Sequence, residues 1–266
     1  LPALIFPLSG FMTSHLANGQ LLWLTVDYLP WIVLGFVRAL RSSRWWLLLA
    51  GGLTALTFIE GRVYLVAYIV ALLAILGLGY AVARRSWRPL VHVALALFLA
   101  VGLAAWKILP TLWFLHDRVQ ALANTDGIPL AALDDAFLVR SVTTNVDDTY
   151  GTIIIPRHEY AAYVGLVPLL LAALGLITRP LRPHATVFAI AGGVFLALAM
   201  QTATWALFEY LPLTRELRNP SRMIIMVVLT LSVLAGAGLQ RLTDATRRWS
   251  ARLRAATLIP WVLLAL

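Results

Sequence analysis

Apolar runs that approach the length needed to cross a lipid bilayer recur along most of this chain. A transmembrane helix needs about 20 predominantly apolar residues. Runs of roughly that kind lie near 21–37, 45–59, 63–83, 90–109, 160–177, 185–203 and 223–239, with partial runs at 1–12 and from 257 onwards. A water-soluble helix would show a polar face at a period of 3.6 residues, and these runs lack one. We therefore predict an all-α fold, a polytopic transmembrane helical bundle with about seven full and two partial spans.

The basic residues are distributed unevenly among the connections between these runs. Alternate connections hold thirteen arginines and a single acid, Asp244; the arginines are Arg38, Arg41, Arg44, Arg84, Arg85, Arg88, Arg179, Arg182, Arg241, Arg247, Arg248, Arg252 and Arg254. Short loops rich in Arg stay in the cytoplasm, so this set is predicted to face inward. Contacts with anionic headgroups of the bilayer then explain the net charge of +9, and no nucleic-acid partner is expected.

One long segment, residues 111–159, is too polar to lie in lipid. It holds seven acidic residues, Asp117, Asp126, Asp134, Asp135, Asp147, Asp148 and Glu159. Alternation from the Arg-rich connections predicts an extracytoplasmic loop here. Residues 1–266 are predicted to form a single transmembrane domain. Because the sequence begins and ends inside apolar runs and shows no signal peptide, we expect a fragment of a longer protein. The absence of cysteine excludes disulfides and thiolate metal sites.

Within this loop the sequence predicts three local features. Residues 129–140 place Leu130, Leu133 and Phe137 on one helical face, which predicts a short helix lying on the membrane surface. The segment 143–151 has the composition of a turn. Residues 153–155 are then expected to return the chain to the bilayer.

Several ionisable side chains lie in or near the predicted spans, on the same side as the loop. Asp27 lies about two turns into its span, with no basic residue within a helical turn of it. Ionisable residues at membrane depth usually face the bundle interior or a water-filled cavity. We expect His15, Asp27, Glu60 and Arg62 to line an outer cavity. Mutual neutralisation of Glu60 and Arg62 across their tight turn is the alternative.

A helix start is predicted near residue 220. Asn219 is a good N-cap, and Pro220 suits the first helical position. The free N–H groups and the dipole of a helix start favour an anion, and Arg218 and Arg222 add guanidinium groups suited to phosphate. We predict that Arg218, Asn219, Ser221 and Arg222 bind the phosphate of a lipid. The alternative is that both arginines only reach ordinary headgroups.

The loop also supplies candidates for catalysis. Glu159 and His158 lie at the mouth of a span, and Asp147 and Asp148 form an adjacent pair. Group transfer needs a carboxylate or imidazole as base, or carboxylates that hold a divalent cation. Adjacent Asp residues are not a metal signature by themselves, and a solvated loop also explains them. No metal site is assigned, and a divalent cation stays an open alternative. Nucleotide-binding and hydrolase motifs are absent from the sequence.

Short motifs follow one another in order along nearly the whole chain. They are SGFMTSH at 9–15, LPW at 29–31, EGR at 60–62, ILPT at 108–111, EYAAYVG at 159–165, NPSR at 219–222 and LAGAGL at 234–239. Each motif alone is weak evidence, and the argument rests on their order and spacing. Together they resemble the bacterial YfhO-type membrane proteins, which are similar to the GT-C class of polytopic glycosyltransferases.

The resemblance implies transfer of a sugar from a polyprenyl-phosphate carrier to a cell-envelope acceptor, on the outer face of a bacterial plasma membrane. In that class the catalytic acid usually lies in the first outer loop. By this resemblance that loop precedes Leu1, so no catalytic base is assigned. Two alternatives stay open: a transporter or flippase of lipid-linked envelope precursors, and a non-catalytic membrane subunit. A transporter usually shows paired broken helices, and the sequence shows no such pairing.

Overall fold

A computed structural model describes residues 2–116, 127–140, 147–150, 153–177, 183–200 and 220–264. Its helices in chain order are α1 (Pro2–Ile5), α2 (Gly10–Ala17), α3 (Leu29–Ala39), α4 (Trp46–Ile59), α5 (Val63–Arg84), α6 (Arg88–His116), α7 (Leu133–Leu138), α8 (Arg157–Tyr160), α9 (Leu166–Ile177), α10 (Pro183–Ala199) and α11 (Ile224–Leu264). Short 3₁₀ helices at Leu21–Tyr28, Leu130–Ala132 and Pro220–Met223 precede α3, α7 and α11. Strands β1 (Asp147–Tyr150) and β2 (Ile153–Pro156) pair as an antiparallel hairpin.

Helices dominate the described part of the chain, as predicted for a membrane protein. Within the described ranges, four helical stretches are long and apolar enough to cross a membrane: Leu21–Ala39, Val63–Arg84, Arg88–Thr111 and Pro220–Arg247. Three shorter apolar helices match other predicted runs: Trp46–Ile59, Leu166–Ile177 and His184–Ala199. On α6, Phe98 is 80% exposed and Trp106 is 67% exposed, as expected for side chains that face lipid. The helical architecture with several candidate spans is confirmed, and the number of crossings stays a prediction.

A very close contact between small residues joins α9 to α11. A Cβ atom added at Gly238 would lie 1.9 Å from the carbonyl oxygen of Leu171, and one at Gly175 would lie 2.5 Å from that of Leu234. These neighbours are backbone atoms, so they cannot move aside without shifting a whole helix. Lipid tails are as apolar as the helices themselves, and helix association in membranes therefore relies on close packing at small residues. The two glycines fix the crossing of α9 and α11.

The C-terminal end of α4 is held by a polar contact with α6. Gly61 has a φ of +88°, which lets the chain turn sharply from α4 into α5. Lys107 on α6 donates a hydrogen bond to the carbonyl oxygen of Ile59, the last residue of α4. A cation is favourable there because the last carbonyl groups of a helix are unsatisfied and its dipole is negative. Helix capping therefore explains why a lysine lies in an otherwise apolar run.

The predicted helix in the polar segment between α6 and α9 is present, but it packs on the bundle. The N–H of Ala162 donates to the carbonyl oxygen of Ala136, a buried residue of α7, at 2.8 Å. Leu133 and Phe137 pack against the main core, whereas Leu130 is 74% exposed. The expected apolar stripe is therefore divided. Two of its side chains contact protein, and Leu130 remains outside that contact.

The limits of this polar segment also differ from the prediction. The helix α6 continues past 111 to His116, although Pro110 lies inside it. Residues 153–155, expected to lead back into the bilayer, belong to β2 and pair with β1. Ile, Thr and Tyr side chains favour extended strands, which explains the hairpin physically. The predicted all-α fold did not include this small sheet.

The two ends of the chain also correct the sequence interpretation. The predicted partial span at 1–12 is divided into α1 and α2, and α2 continues past its predicted end to Ala17. At the other end α11 runs unbroken to Leu264, where a connection and a new span from 257 were predicted. Residues 239–259 contain neither Gly nor Pro and are rich in Arg, Ala and Leu, all good helix formers.

Candidate functional site

Glu159 and Arg222 form a buried, bidentate ion pair. Nε and Nη2 of Arg222 donate to Oε2 and Oε1 of Glu159 at 2.5 and 2.6 Å. The side chain of Glu159 is 7% exposed and that of Arg222 is 21% exposed. Two parallel hydrogen bonds between a guanidinium and a carboxylate fix orientation as well as distance. The pair therefore ties α8 firmly to the 3₁₀ helix that precedes α11.

Close backbone packing places α2 beside this ion pair. The N–H of Gly10, the first residue of α2, donates to the carbonyl oxygen of Tyr163 at 2.7 Å. A Cβ atom at Gly10 would lie 2.6 Å from the backbone nitrogen of Tyr163, so a larger residue would push the two segments apart. As a result the rings of His15 on α2 and His158 on α8 lie 5.6 Å apart.

Two aromatic rings are shared between two arginines. The centroids of Trp23 and Tyr64 lie 5.7 Å apart. Cζ of Arg62 lies 5.6 and 5.7 Å from these two centroids, and Cζ of Arg222 lies 5.6 Å from each. A guanidinium at such distances is attracted by the negative face of a ring. His15 continues the group, with its ring 4.4 Å from that of Trp23. We call Arg62, Arg222, Glu159, His15, His158, Trp23 and Tyr64 the ion-pair cluster.

His15 is fully buried within this cluster and is neutral at physiological pH. Burial lowers its pKa to about 4, against the smaller raising effects of a backbone hydrogen bond and of the Glu159 charge. Nδ1 lies 2.8 Å from the carbonyl oxygen of Phe11. A carbonyl can only accept, so Nδ1 carries the proton and Nε2 is an acceptor. Nε2 has no hydrogen-bond partner among the described residues.

Three other buried polar atoms lack a partner within the described ranges. They are Oγ of Ser9, Oδ1 of Asn18 and the phenol oxygen of Tyr68. Ser9 and Asn18 flank α2, which carries His15, and the ring of Tyr68 lies 6.2 Å from that of Tyr64. Nearly all buried polar atoms in native proteins are hydrogen-bonded to protein or to water. The surroundings of the ion-pair cluster therefore have hydrogen-bonding capacity that the described residues do not use.

The pKa of Glu159 shows how strongly Arg222 holds it. Burial alone raises this pKa, but hydrogen bonds from Arg222 and His158, with the charge of Arg222, outweigh burial and lower it to about 2. Nε2 of His158 lies 3.5 Å from Oε1 of Glu159. Glu159 is therefore ionised across the physiological range. A general base works best with a pKa near the ambient pH, so Glu159 is poorly suited to accept a proton.

The structure divides the predicted site residues between two places. His15, Arg62, His158, Glu159 and Arg222 come together in the ion-pair cluster, although sequence analysis assigned them to three different groups. Asp27 instead lines a separate cavity between α3 and α11.

Glu60 and Arg62 each have their own partners. Glu60 is exposed and accepts a hydrogen bond from the Tyr28 hydroxyl at 3.0 Å. Nε of Arg62 donates to the carbonyl oxygen of Leu22 at 3.0 Å, and its Nη1 donates to the Tyr64 hydroxyl. Glu60 and Arg62 therefore do not neutralise each other across the turn. Glu60 lies at the edge of the bundle, whereas Arg62 turns toward the ion-pair cluster.

The remaining predicted residues stay partly untested. Ser221 is buried in the 3₁₀ helix before α11. Arg218 and Asn219 lie outside the described residues, so the predicted N-cap and its share in phosphate binding stay predictions. Asp147 and Asp148 lie in β1, and their side chains are outside the description. Among the described residues, no group of three or more His, Asp or Glu is arranged to hold a metal ion.

Sequence reasoning missed the aromatic part of the cluster. Tyr64 and Tyr68 lie four residues apart on α5 and therefore share a helical face, directly after Arg62. That spacing was an available signal. Nothing in the sequence around Trp23 distinguishes it from an ordinary apolar residue of a span, because its role comes from contacts with distant segments.

Comparison with known proteins identifies one family. The model of the family described as bacterial membrane protein YfhO matches residues 1–265, which include every residue of the ion-pair cluster. No curated protein and no solved structure matches the chain. The family match confirms the resemblance predicted from the order of motifs.

Proposed function

The chain belongs to the YfhO family of bacterial membrane proteins, and we propose that it is a glycosyltransferase-like enzyme of the GT-C kind. It transfers a sugar from a polyprenyl-phosphate carrier to a cell-envelope acceptor on the outer face of the membrane. The observation that carries this proposal is the ion-pair cluster. Segments distant in sequence bring two arginines, a carboxylate, two imidazoles and two aromatic rings into one polar group within an apolar bundle.

The charge of the cluster suits the phosphate of such a carrier. Arg62 and Arg222 against Glu159 leave one net positive charge before His158 is counted, and His15 adds none because its pKa is about 4. A sugar linked to a polyprenyl phosphate is a phosphodiester with one negative charge. A guanidinium has five N–H donors, and Arg222 directs two of them at Glu159. Its remaining N–H donors can contact a phosphate oxygen.

The reaction assigns a distinct role to each charged residue. The bond between the anomeric carbon and the phosphate oxygen breaks, and the acceptor hydroxyl oxygen bonds to that carbon as its proton passes to a base. Arg62 and Arg222 stabilise the negative charge that develops on the departing phosphate. Glu159 is a positioning residue that holds Arg222 in orientation. The base is not assigned among the described residues.

A transfer assay tests the proposal. The purified protein is reconstituted with a panel of labelled polyprenyl-phosphate sugars and an envelope glycopolymer fraction, and release of polyprenyl phosphate is followed. The variant carries Glu159→Gln with Arg222→Gln, which removes both charges together and leaves neither one buried alone. The control is Arg140→Gln, at an exposed arginine after α7. We expect transfer to fall about a hundredfold or more in the double variant and to persist in the control.

Two other results would contradict the enzyme. If the wild-type protein moves the carrier across the bilayer without consuming it, the chain is a transporter. If it neither moves nor consumes any carrier of the panel, a non-catalytic subunit is the better description.

Carrier binding separates recognition from chemistry. Losing a charge-assisted contact of about 1.5–3 kcal/mol weakens binding by roughly ten- to a hundredfold. We expect that loss for polyprenyl phosphate in the Glu159→Gln, Arg222→Gln variant. Arg218→Ala tests the predicted contribution of the preceding arginine. Arg222→Lys should retain only part of the affinity for polyprenyl phosphate because an ammonium cannot make the bidentate contact. Unchanged affinity in all of these variants would leave the arginines as headgroup anchors.

A further inference from the structure

A second site lies in the cavity that Asp27 lines. This cavity has a volume of about 640 Å³, within the range of roughly 300–1,000 Å³ typical of ligand sites. Side chains from α1, α3, α10 and α11 line it, so it lies among helices rather than in a loop. It does not include the ion-pair cluster, because neither Glu159 nor Arg222 is among its lining residues.

The cavity is long in the direction that crosses the membrane. Asp27, just before α3, and Arg41, just after it, both line the cavity. The chain between them rises by about 20 Å, roughly two-thirds of a hydrocarbon core of about 30 Å. The wall between these two residues is almost entirely apolar, with Val33, Phe188 and Val233 among its side chains. Such a wall accommodates a hydrocarbon chain.

One end of the cavity is basic. The side chains that line this end are the basic residues Arg41, His184 and Arg241 and the acidic residue Asp244. Nη2 of Arg41 is hydrogen-bonded to Nε2 of His184, and the Tyr80 hydroxyl lies 2.6 Å from Nδ1 of the same ring. These contacts fix the direction of Arg41. Two arginines against one aspartate leave one net positive charge, so a single anionic headgroup would neutralise this end.

We propose that this cavity binds one anionic glycerophospholipid, with its phosphate at Arg41 and Arg241 and an acyl chain along the apolar wall toward Asp27. The Arg-rich connections are predicted to face the cytoplasm, which places the headgroup in the inner leaflet. The carrier phosphate of the proposed function would lie at the ion-pair cluster instead. The two sites are therefore separate, and the lipid site stands whether or not the chain transfers a sugar.

Lipid binding to the purified protein tests the proposal. Native mass spectrometry measures the affinity of the first bound lipid for dioleoyl-phosphatidylglycerol and, as the neutral reference, dioleoyl-phosphatidylcholine. One variant carries Arg41→Gln and Arg241→Gln. Its matched control carries Arg44→Gln and Arg85→Gln, which removes two arginines from the predicted cytoplasmic set that do not line the cavity. The wild type should bind the anionic lipid about ten- to a hundredfold tighter than the neutral one.

We expect the cavity variant to lose this preference and the control to keep it. Val233→Trp fills the apolar wall and leaves the arginines in place, so it should weaken both lipids about tenfold or more. An equal loss in the control variant would overturn the proposal. Unchanged lipid affinity in Val233→Trp would also overturn it. So would displacement of the lipid by glycerol 3-phosphate at a similar concentration, because that would indicate a site for phosphate alone. The filled variant keeps the proposal testable if the arginine variant does not fold.

Discussion

Removing one partner of the Glu159–Arg222 pair should destabilise the protein far more than removing both. Arg222→Gln leaves the Glu159 carboxylate buried without its cation, and Glu159→Gln leaves the guanidinium without its anion. Breaking a buried pair in this way costs about 3–5 kcal/mol. The lowered pKa of Glu159 gives a similar value for this cost in stability. It is lowered from 4.5 to about 2, and each unit corresponds to about 1.4 kcal/mol, which makes about 3 kcal/mol.

The double variant, with Gln at both positions, should lose much less. Two neutral amides can hydrogen-bond to each other, and neutral replacements of a buried ion pair are often close to neutral in stability. We expect a loss of about 1 kcal/mol or less, and therefore a coupling energy of several kcal/mol in the double-mutant cycle. The contacts of Arg222 with Trp23 and Tyr64 should keep the Glu159→Gln loss at the lower end of the range.

Unfolding of the purified protein in detergent at pH 7 measures the cycle. The pH dependence adds a second check. The pKa of Glu159 is lower in the folded protein, so its contribution is complete above pH 4.5 and declines as the pH falls towards 2. The stability difference between wild type and Glu159→Gln should therefore be constant from pH 8 to about 5. Additive single variants, each costing less than about 0.5 kcal/mol, would refute the buried pair.

Three further predictions follow from other parts of the molecule. The pKa of His15 is lower in the folded state, about 4 against 6.5, so the unfolded chain takes up its proton first. Stability should fall by about 2 kcal/mol from pH 7 to 5, and His15→Gln should flatten that slope; an equal slope in the variant would refute it. Gly238→Ala should lower stability by about 1–3 kcal/mol or more because its Cβ meets a carbonyl oxygen. Gly193→Ala, with open space around it, should be tolerated. Equal unfolding temperatures of the two variants would contradict the crossing of α9 and α11. In intact cells an impermeant thiol reagent should label Thr125→Cys but not Ser43→Cys, and the reverse pattern would invert the predicted topology.

The sequence was sufficient for the class of fold because apolar length and the position of arginines act locally. The hydropathy of α5 and α6 needs no distant partner to indicate a span. Local signals failed where two structures compete. Residues 153–155 are apolar enough for lipid, but they pair with β1 once a partner strand is present. Residues 239–256 are charged enough for a connection, yet their helix propensity continues α11.

The ionisable residues of the site could be named from the sequence, but their arrangement and the aromatic residues among them could not. Arg222 was proposed because it adjoins a predicted helix start suited to phosphate, and Glu159 because a carboxylate at the mouth of a span could act in group transfer. His15 was proposed as one of the ionisable groups near the predicted spans. The pairing of Glu159 with Arg222 spans 63 residues, and no spacing rule reaches that far. The same limit hid Trp23, because the residues that contact its ring come from α2, α5 and the segment before α11. Asp27 does line a cavity among the helices, as expected, but the fold separates that cavity from the ion-pair cluster.

The central claim is that the carrier phosphate binds at the ion-pair cluster, and photo-crosslinking tests it most directly. A polyprenyl phosphate with a diazirine next to the phosphate is irradiated with the purified protein, and the labelled peptides are mapped by mass spectrometry. We expect label on the peptides that contain Trp23, Tyr64 and His158. Unlabelled polyprenyl phosphate should compete with this label, and the Glu159→Gln, Arg222→Gln variant should lose it. Label confined to the cavity near Trp31 and Val233, and unaffected by those substitutions, would contradict it.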